Sequence, residues 1–205
     1  MKNNIKLIIF DLGNVIFKIE SDRTFLYWSK LTSLDVSFLR ENFFSNGDYD
    51  AYEMGDLSED RFRKGFNHKI NFNISKDDFS IGLNLMIVGL NSGIKEILET
   101  LSEKVFLAVL SNTNKTHEKY ILQNYTSILT NFEKLFLSHR IKCRKPEEKA
   151  YQTVLSYFKV SPSEAVFFDD LIENIEAANR IGINSFLIKN NDISIIPEIL
   201  EQYKI

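Results

Sequence analysis

Several short apolar runs of this chain stop at residues able to do chemistry. "IKLIIFD" ends in Asp11, "VFLAVLS" ends in Ser111 with Asn112 and Thr113 behind it, and "AVFFD" ends in Asp169 with Asp170 next. A fourth run, "KLFLS", is followed a little later by Lys145-Pro146 at an expected helix start. Brought together, these groups would form a set of carboxylates with one hydroxyl and one ammonium. Clustered carboxylates repel, so such a set makes sense mainly around a cation. A hard divalent ion with oxygen ligands, Mg²⁺, is the simplest choice. Lys145 would add a second positive field, and Ser111 with nearby backbone N–H groups would add directional donors for oxyanions. That combination stabilises charge on a transferring phosphoryl group, with Asp11 as the nucleophile. Taken singly, each feature has a bland explanation: a turn residue at Asp11 or Ser111-Asn112-Thr113, a helix cap at Asp169-Asp170, a solvated lysine at 145.

For these residues to meet, the runs that carry them must be neighbouring strands. Their brevity and near-continuous hydrophobicity over 5–11, 105–111, 134–138, 165–169 and 185–188 suit strands buried on both faces of a parallel sheet. Segments of helical period lie between the later ones, at 114–125, 146–158 and 172–181, and a last amphipathic stretch begins at Ser194. The alternation predicts an α/β fold, a Rossmann-like doubly wound parallel sheet, whose ligands bind beyond the carboxyl ends of the strands. From 19 to 90 the alternation stops. That block reads as helices only, with starts at "SDRTF" and "SEDRF", a turn at "EMGDLS" and no strand-like run. The expected organisation is a core of 1–18 and 91–205 with a helical lid, 19–90, inserted after the first strand, since a crossover this long exceeds ordinary loops.

Composition narrows the partners. The net charge is −3 over 205 residues, and lysines and arginines are scattered, so neither nucleic acid nor a membrane surface is expected as a partner. The apolar run at the N-terminus is interrupted at Lys6 and halted at Asp11, too short for a signal peptide, and no stretch is long enough to span a bilayer. A cytoplasmic location is expected. The single cysteine, Cys143, is read as a free thiol without chemistry. Seventeen phenylalanines point to core filling, with Phe43, Phe44 and Tyr49 assigned to the core of the lid. His68, His117 and His139 show no metal-ligand spacing and are read as structural or exposed.

In order along the chain, "FDLGNV", "LSNT", "RKP" and "VFFDDLIENIEAANRIGI" resemble the four motifs of the haloacid dehalogenase (HAD) superfamily, with the helical insertion where members with a C1 cap carry theirs. Within the superfamily the wording is most similar to the alpha-D-glucose-1-phosphate phosphatase-like branch. The resemblance implies that Asp11 attacks phosphorus, that Ser111 and Asn112 hold phosphoryl oxygens, and that Lys145 bridges nucleophile and phosphate. It further implies that Asp170, helped by Asp169, holds Mg²⁺ together with Asp11 and the backbone carbonyl of Gly13, and that Asn174 supports the acidic loop. The substrate would be a small phosphorylated metabolite, a sugar phosphate being one candidate. A monomer is expected, with a dimer as the alternative.

Two positions depart from the family pattern. Gly13 stands where most phosphatases of the superfamily carry a second Asp as general acid and base. That role would pass to water, to the substrate, or to an acid of the lid, for which Glu53 and Asp56 are the candidates. Gly13 itself is read as letting the backbone turn around the metal. The second departure is Lys142, where relatives commonly have Gly. Three rival readings stay open: a catalytically silent binding protein, a metal-free 2-haloacid dehalogenase and a phosphosugar mutase.

Overall fold

The computed structural model describes residues 4–205, so residues 1–3 of the expected core segment lie outside the described residues. Seven strands are present among them: β1 (Leu7–Phe10), β2 (Phe17–Ile19), β3 (Ile87–Leu90), β4 (Phe106–Ser111), β5 (Lys134–Leu137), β6 (Ala165–Asp169) and β7 (Asn184–Leu187). Five of them form one parallel sheet in the order β5-β4-β1-β6-β7. The chain leaves β1 towards β4 and β5 on one side, then returns to place β6 and β7 on the other. This reversal opens a crevice at the carboxyl end of β1, where doubly wound sheets bind ligands.

Strand periodicity splits the core in two. Ile8, Phe10, Leu107, Val109, Val166 and Phe168 face one apolar layer, and Leu7, Ile9, Ala108, Leu110, Ala165 and Phe167 face the other. Helices Ile94–Ser102, Lys115–Asn124 and Ile195–Glu201 bury Leu98, Ile121 and Ile196 in the first layer. Helices Glu148–Phe158 and Ile172–Arg180 bury Tyr151, Val154, Ile175 and Ala178 in the second. Each fully buried Leu, Ile or Phe contributes roughly 1.5–3 kcal/mol relative to exposure, which makes this sheet a stiff platform. Register then aligns the strand ends: Phe10 is paired with Val109 and with Phe168, so Asp11, Ser111 and Asp169 emerge at nearly one level.

Between β2 and β3 the chain forms helices Asp22–Thr32, Val36–Phe44, Asp48–Glu53, Glu59–Ile70 and Lys76–Leu85. Their starts follow side-chain capping: Asp35, Ser58 and Ser75 each accept a backbone N–H of the first turn. Phe25, Trp28, Phe43, Phe62, Phe66 and Phe79 pack into an apolar cluster separate from the two layers of the sheet. Gly82 is required by this packing, because a Cβ there would stand 2.1 Å from Trp28 Nε1. The block is not purely helical, which corrects the expectation that no strand-like run falls within 19–90. Ile19 belongs to β2 and Ile87–Leu90 is β3, and the two pair antiparallel where the chain enters and leaves the insertion. Ribbons of 3 and 4 residues are too short to show a period in sequence. Among the described residues no helix is long and apolar enough to cross a membrane.

Candidate active site

Asp11 leaves the end of β1, the central strand, and is buried, while Asp169 ends β6 with no exposure at all. Lys145 reaches both from a loop: its Nζ lies 2.7 Å from Asp11 Oδ1 and 2.5 Å from Asp169 Oδ2. The lysine is not at a helix start, as expected from "KP"; the following helix begins only at Glu148. Its position is set instead by Asn112. The Asn112 side chain accepts from the Lys145 backbone N–H at 2.9 Å and donates to the Lys145 carbonyl at 2.9 Å. The amide thereby spends one of its two N–H donors and its oxygen on the Lys145 backbone, which fixes residue 112 beside the loop that carries the lysine. Ser111, the last residue of β4, is buried at the same rim.

The two adjacent acids have different surroundings. Asp169 Oδ1 accepts from the Leu171 backbone N–H at 2.8 Å and from Asn174 Nδ2 at 2.9 Å, so together with Lys145 its carboxylate is held by three donors. Asp170 is partly exposed, and its Oδ2 accepts from Asn14 Nδ2 at 2.8 Å. Oxygens of Asp11, Asp169 and Asp170 lie within 4.8 Å of one another.

Burial, reinforced by Asp169 and opposed by Lys145, pushes the Asp11 carboxyl up to about 7. Burial also raises Asp170, against the hydrogen bond from Asn14. For Lys145, burial pulls the other way, but the Asp11 and Asp169 carboxylates outweigh it and hold the ammonium above its ordinary range. One ammonium among three carboxylates leaves an excess of negative charge in a poorly solvated place. An all-oxygen donor set of this kind fits a hard divalent cation such as Mg²⁺.

The structure separates the two lid acids. Glu53, at the end of helix Asp48–Glu53, is buried, and its Oε2 lies 3.1 Å from Nη2 of Arg144, the residue before Lys145. Burial holds its carboxyl above the usual range despite Arg144. Asp56 is exposed and faces Lys142 Nζ at 3.4 Å. Lys142 also donates to the carbonyls of Met54 at 3.1 Å and Gly55 at 2.6 Å. It does so from a left-handed backbone, φ 54°, where glycine would be the easier residue.

Gly13 is not the residue that turns the chain. Its φ lies outside the left-handed region, and a Cβ would make only ordinary contacts, 3.5 Å to Ile19 Cγ1 and 3.6 Å to Asp11 Oδ2. The positive φ, 55°, belongs to Asn14, one residue on. Asn tolerates this conformation better than most side chains. Sequence reasoning missed Asn14 and Arg144, although both sit inside the quoted motifs: an Asn directly after Gly is itself a left-handed turn signal. It also passed over Ser138, a buried hydroxyl that donates to Glu53 O at 2.6 Å and accepts from Thr113 N–H at 2.9 Å. His117 is buried between Asn114 Nδ2 and the Leu83 carbonyl, each at 3.1 Å, and His139 lies between the Thr113 carbonyl and Glu118.

The chain is similar in sequence and fold to known proteins. A D-ribitol-5-phosphate phosphatase from Bacteroides thetaiotaomicron is 25% identical over 197 residues, covering 91% of this chain and 93% of that protein. A HAD family enzyme of the same organism, solved in complex with magnesium and inorganic phosphate, superposes with a TM-score of 0.85 at 27% identity over 94% of this chain and 98% of that one. A HAD-like family hydrolase from Porphyromonas gingivalis matches in fold, with a TM-score of 0.86 at 21% identity over 98% of this chain and 99% of that one. The model of the haloacid dehalogenase-like hydrolases matches residues 51–188, more than half of the sequence, and with the sheet and its acidic rim in place the chain belongs to that family.

Proposed function

We propose that this hydrolase is a Mg²⁺-dependent phosphatase that cleaves a small phosphomonoester, a sugar or polyol phosphate, through an aspartyl-phosphate on Asp11. The observation that carries the reading is the Lys145 ammonium held between Asp11 and Asp169 at the end of the central strands, with Asp170 alongside. The phosphatase among the relatives, 25% identical over nearly the whole chain, supports it, as does the magnesium and phosphate complex of a similar structure.

The roles follow from the contacts. Lys145 fixes Asp11 Oδ1, and Oδ2, which has no hydrogen-bond partner among the described residues, is the oxygen that attacks phosphorus. The ester P–O bond breaks, the alcohol leaves, and the Asp11 acyl phosphate is then hydrolysed by water, which releases phosphate and restores the carboxylate. Asp11 and Asp170, with Asp169 and the Gly13 carbonyl as further donors, would hold Mg²⁺, which when bound neutralises the phosphoryl oxygens. Ser111 and the backbone of Asn112 orient those oxygens. Asn174 keeps Asp169 turned towards Lys145. With no side chain at Gly13, the proton for the leaving oxygen falls to Glu53, since Asp56 is on the surface with Lys142. The helical block 19–90 acts as a lid on the core formed by 1–18 and 91–205, and its closure excludes water from the first half-reaction.

Initial rates on D-ribitol 5-phosphate, glucose 1-phosphate and fructose phosphates, with Mg²⁺ and with EDTA, test this. Asp11→Asn is expected to lower turnover by about 10⁴-fold or more, and EDTA to abolish it. Hydrolysis that survives both overturns the proposal.

A further inference from the structure

The first-motif loop holds a side chain that the reaction scheme above does not use. Asn14 bonds in two directions at once. Its Nδ2 donates to Asp170 Oδ2 at 2.8 Å, and its Oδ1 accepts from the backbone N–H of Ile19 at 3.2 Å. This orientation of the amide is dictated by its partners, because a carboxylate only accepts and a backbone N–H only donates. Ile19 is the last residue of β2, the strand leading into the helical insertion. The returning strand, β3, is followed by Asn91, whose Nδ2 donates to the Asn14 carbonyl at 3.1 Å and to the Val15 carbonyl at 2.9 Å. The Asn91 backbone N–H closes the arrangement on the Ile16 carbonyl at 2.9 Å. The entry to the insertion, the exit from it and one acidic residue of the rim thus meet on a single asparagine.

We propose that Asn14 is a positioning residue that fixes the Asp170 carboxylate for Mg²⁺ and ties that carboxylate to the β2–β3 pair on which the helical insertion is hung. The inference rests on the metal-dependent reading above and deepens it. At φ 55° the backbone would accept glycine readily, so conformation alone does not call for an asparagine. What asparagine adds is a neutral donor. An amide orients Asp170 without cancelling its charge, so the negative charge stays available to a cation. Because one side chain serves both partners, seating of the metal ligand and seating of Ile19 share free energy, and each favours the other.

Two measurements test this without catalysis. Magnesium chloride is titrated calorimetrically into the wild-type protein and into Asn14→Gly, a variant that keeps the left-handed turn and loses only the side chain. The expected result is Mg²⁺ binding about 10–100-fold weaker in the variant, the usual cost of removing a group that orients a metal ligand. Affinity indistinguishable from wild type overturns the proposal while leaving the phosphatase reading standing. A wild-type protein that takes up no magnesium overturns both. The second measurement needs no variant: amide hydrogen exchange at Ile19 is expected to be slower with Mg²⁺ than in EDTA, and equal rates overturn the coupling to the strand pair.

Discussion

The rim of the parallel sheet and the joint between the helical insertion and the core are both polar, yet they are held in different ways. At the rim, Asp169 and Lys145 are buried and their bonds run among residues of the core: Asp11, Asn112, Leu171 and Asn174. At the joint, the bonds cross from one unit to the other. Ser138 donates to Glu53 O, Lys142 to the carbonyls of Met54 and Gly55, and His117 to that of Leu83, while Thr116 meets both Tyr52 and Glu59. The aromatic cluster of the insertion stays on its own side. The ion pairs of Arg144 with Glu53 and Asp50 cross here as well, and each neutral hydrogen bond of the joint is worth only about 1 kcal/mol net, because water replaces it. Parting the joint would hand its polar groups back to water, whereas the rim cannot lose a member without stranding a buried charge.

The contrast can be broken first at the rim. Lys145→Met removes the only ammonium that, among the described residues, is bonded to Asp11 and Asp169, and is expected to cost about 3–5 kcal/mol, read from denaturant unfolding in EDTA. A loss below about 1 kcal/mol would mean that the rim is no more committed than a surface pair. The next effect lies in the joint. Burial lowers the His117 pKa to about 4, against its backbone hydrogen bond to Leu83. Its neutral ring accepts from Asn114 at Nδ1, and a proton there would face that donor. Between pH 6.5 and 4 the unfolded chain binds the proton and the folded one does not, so this stability is full above the unfolded pKa. It is lost as pH falls through that range, by about 3 kcal/mol in all. A series of melts across these pH values should show the decline, and His117→Gln should flatten it.

Within the insertion, Gly82→Ala drives a methyl group into Trp28 and is expected to cost about 1–3 kcal/mol. Trp28 is the single tryptophan, so its fluorescence reports the event directly. An unchanged unfolding midpoint would show that the two helices move apart freely. The smallest effect is reserved for Lys142→Ala. The lysine side chain is 53% exposed, so stability should change by less than about 1 kcal/mol while KM rises, as the turn at Met54–Asp56 loses its tether. A stability loss of several kcal/mol would contradict an exchangeable joint.

Much of this was legible in sequence because strands buried on both faces leave a continuous apolar run, and the residue that halts the run marks the sheet edge. "IKLIIFD" and "AVFFD" therefore located Asp11 and Asp169 before any coordinates. The strands β2 and β3 were not legible, since their 3 and 4 residues pair with each other across the whole insertion rather than with near neighbours. The parts of Asn112, Glu53 and Asp56 were equally hidden. Whether an amide faces a phosphate or a backbone, and whether an acid is buried or solvated, depends on what another segment brings to it.

From the chain of letters alone came the alternation of strand and helix, the inserted helical block and the identity of the acids at the strand ends, because each is written in local periodicity and spacing. Tertiary structure decided that Lys145 sits between two carboxylates, that Asn14 rather than Gly13 makes the turn, and that Arg144 and Lys142 fasten the insertion. Those facts rest on distances between residues far apart in sequence, and only packing sets such distances.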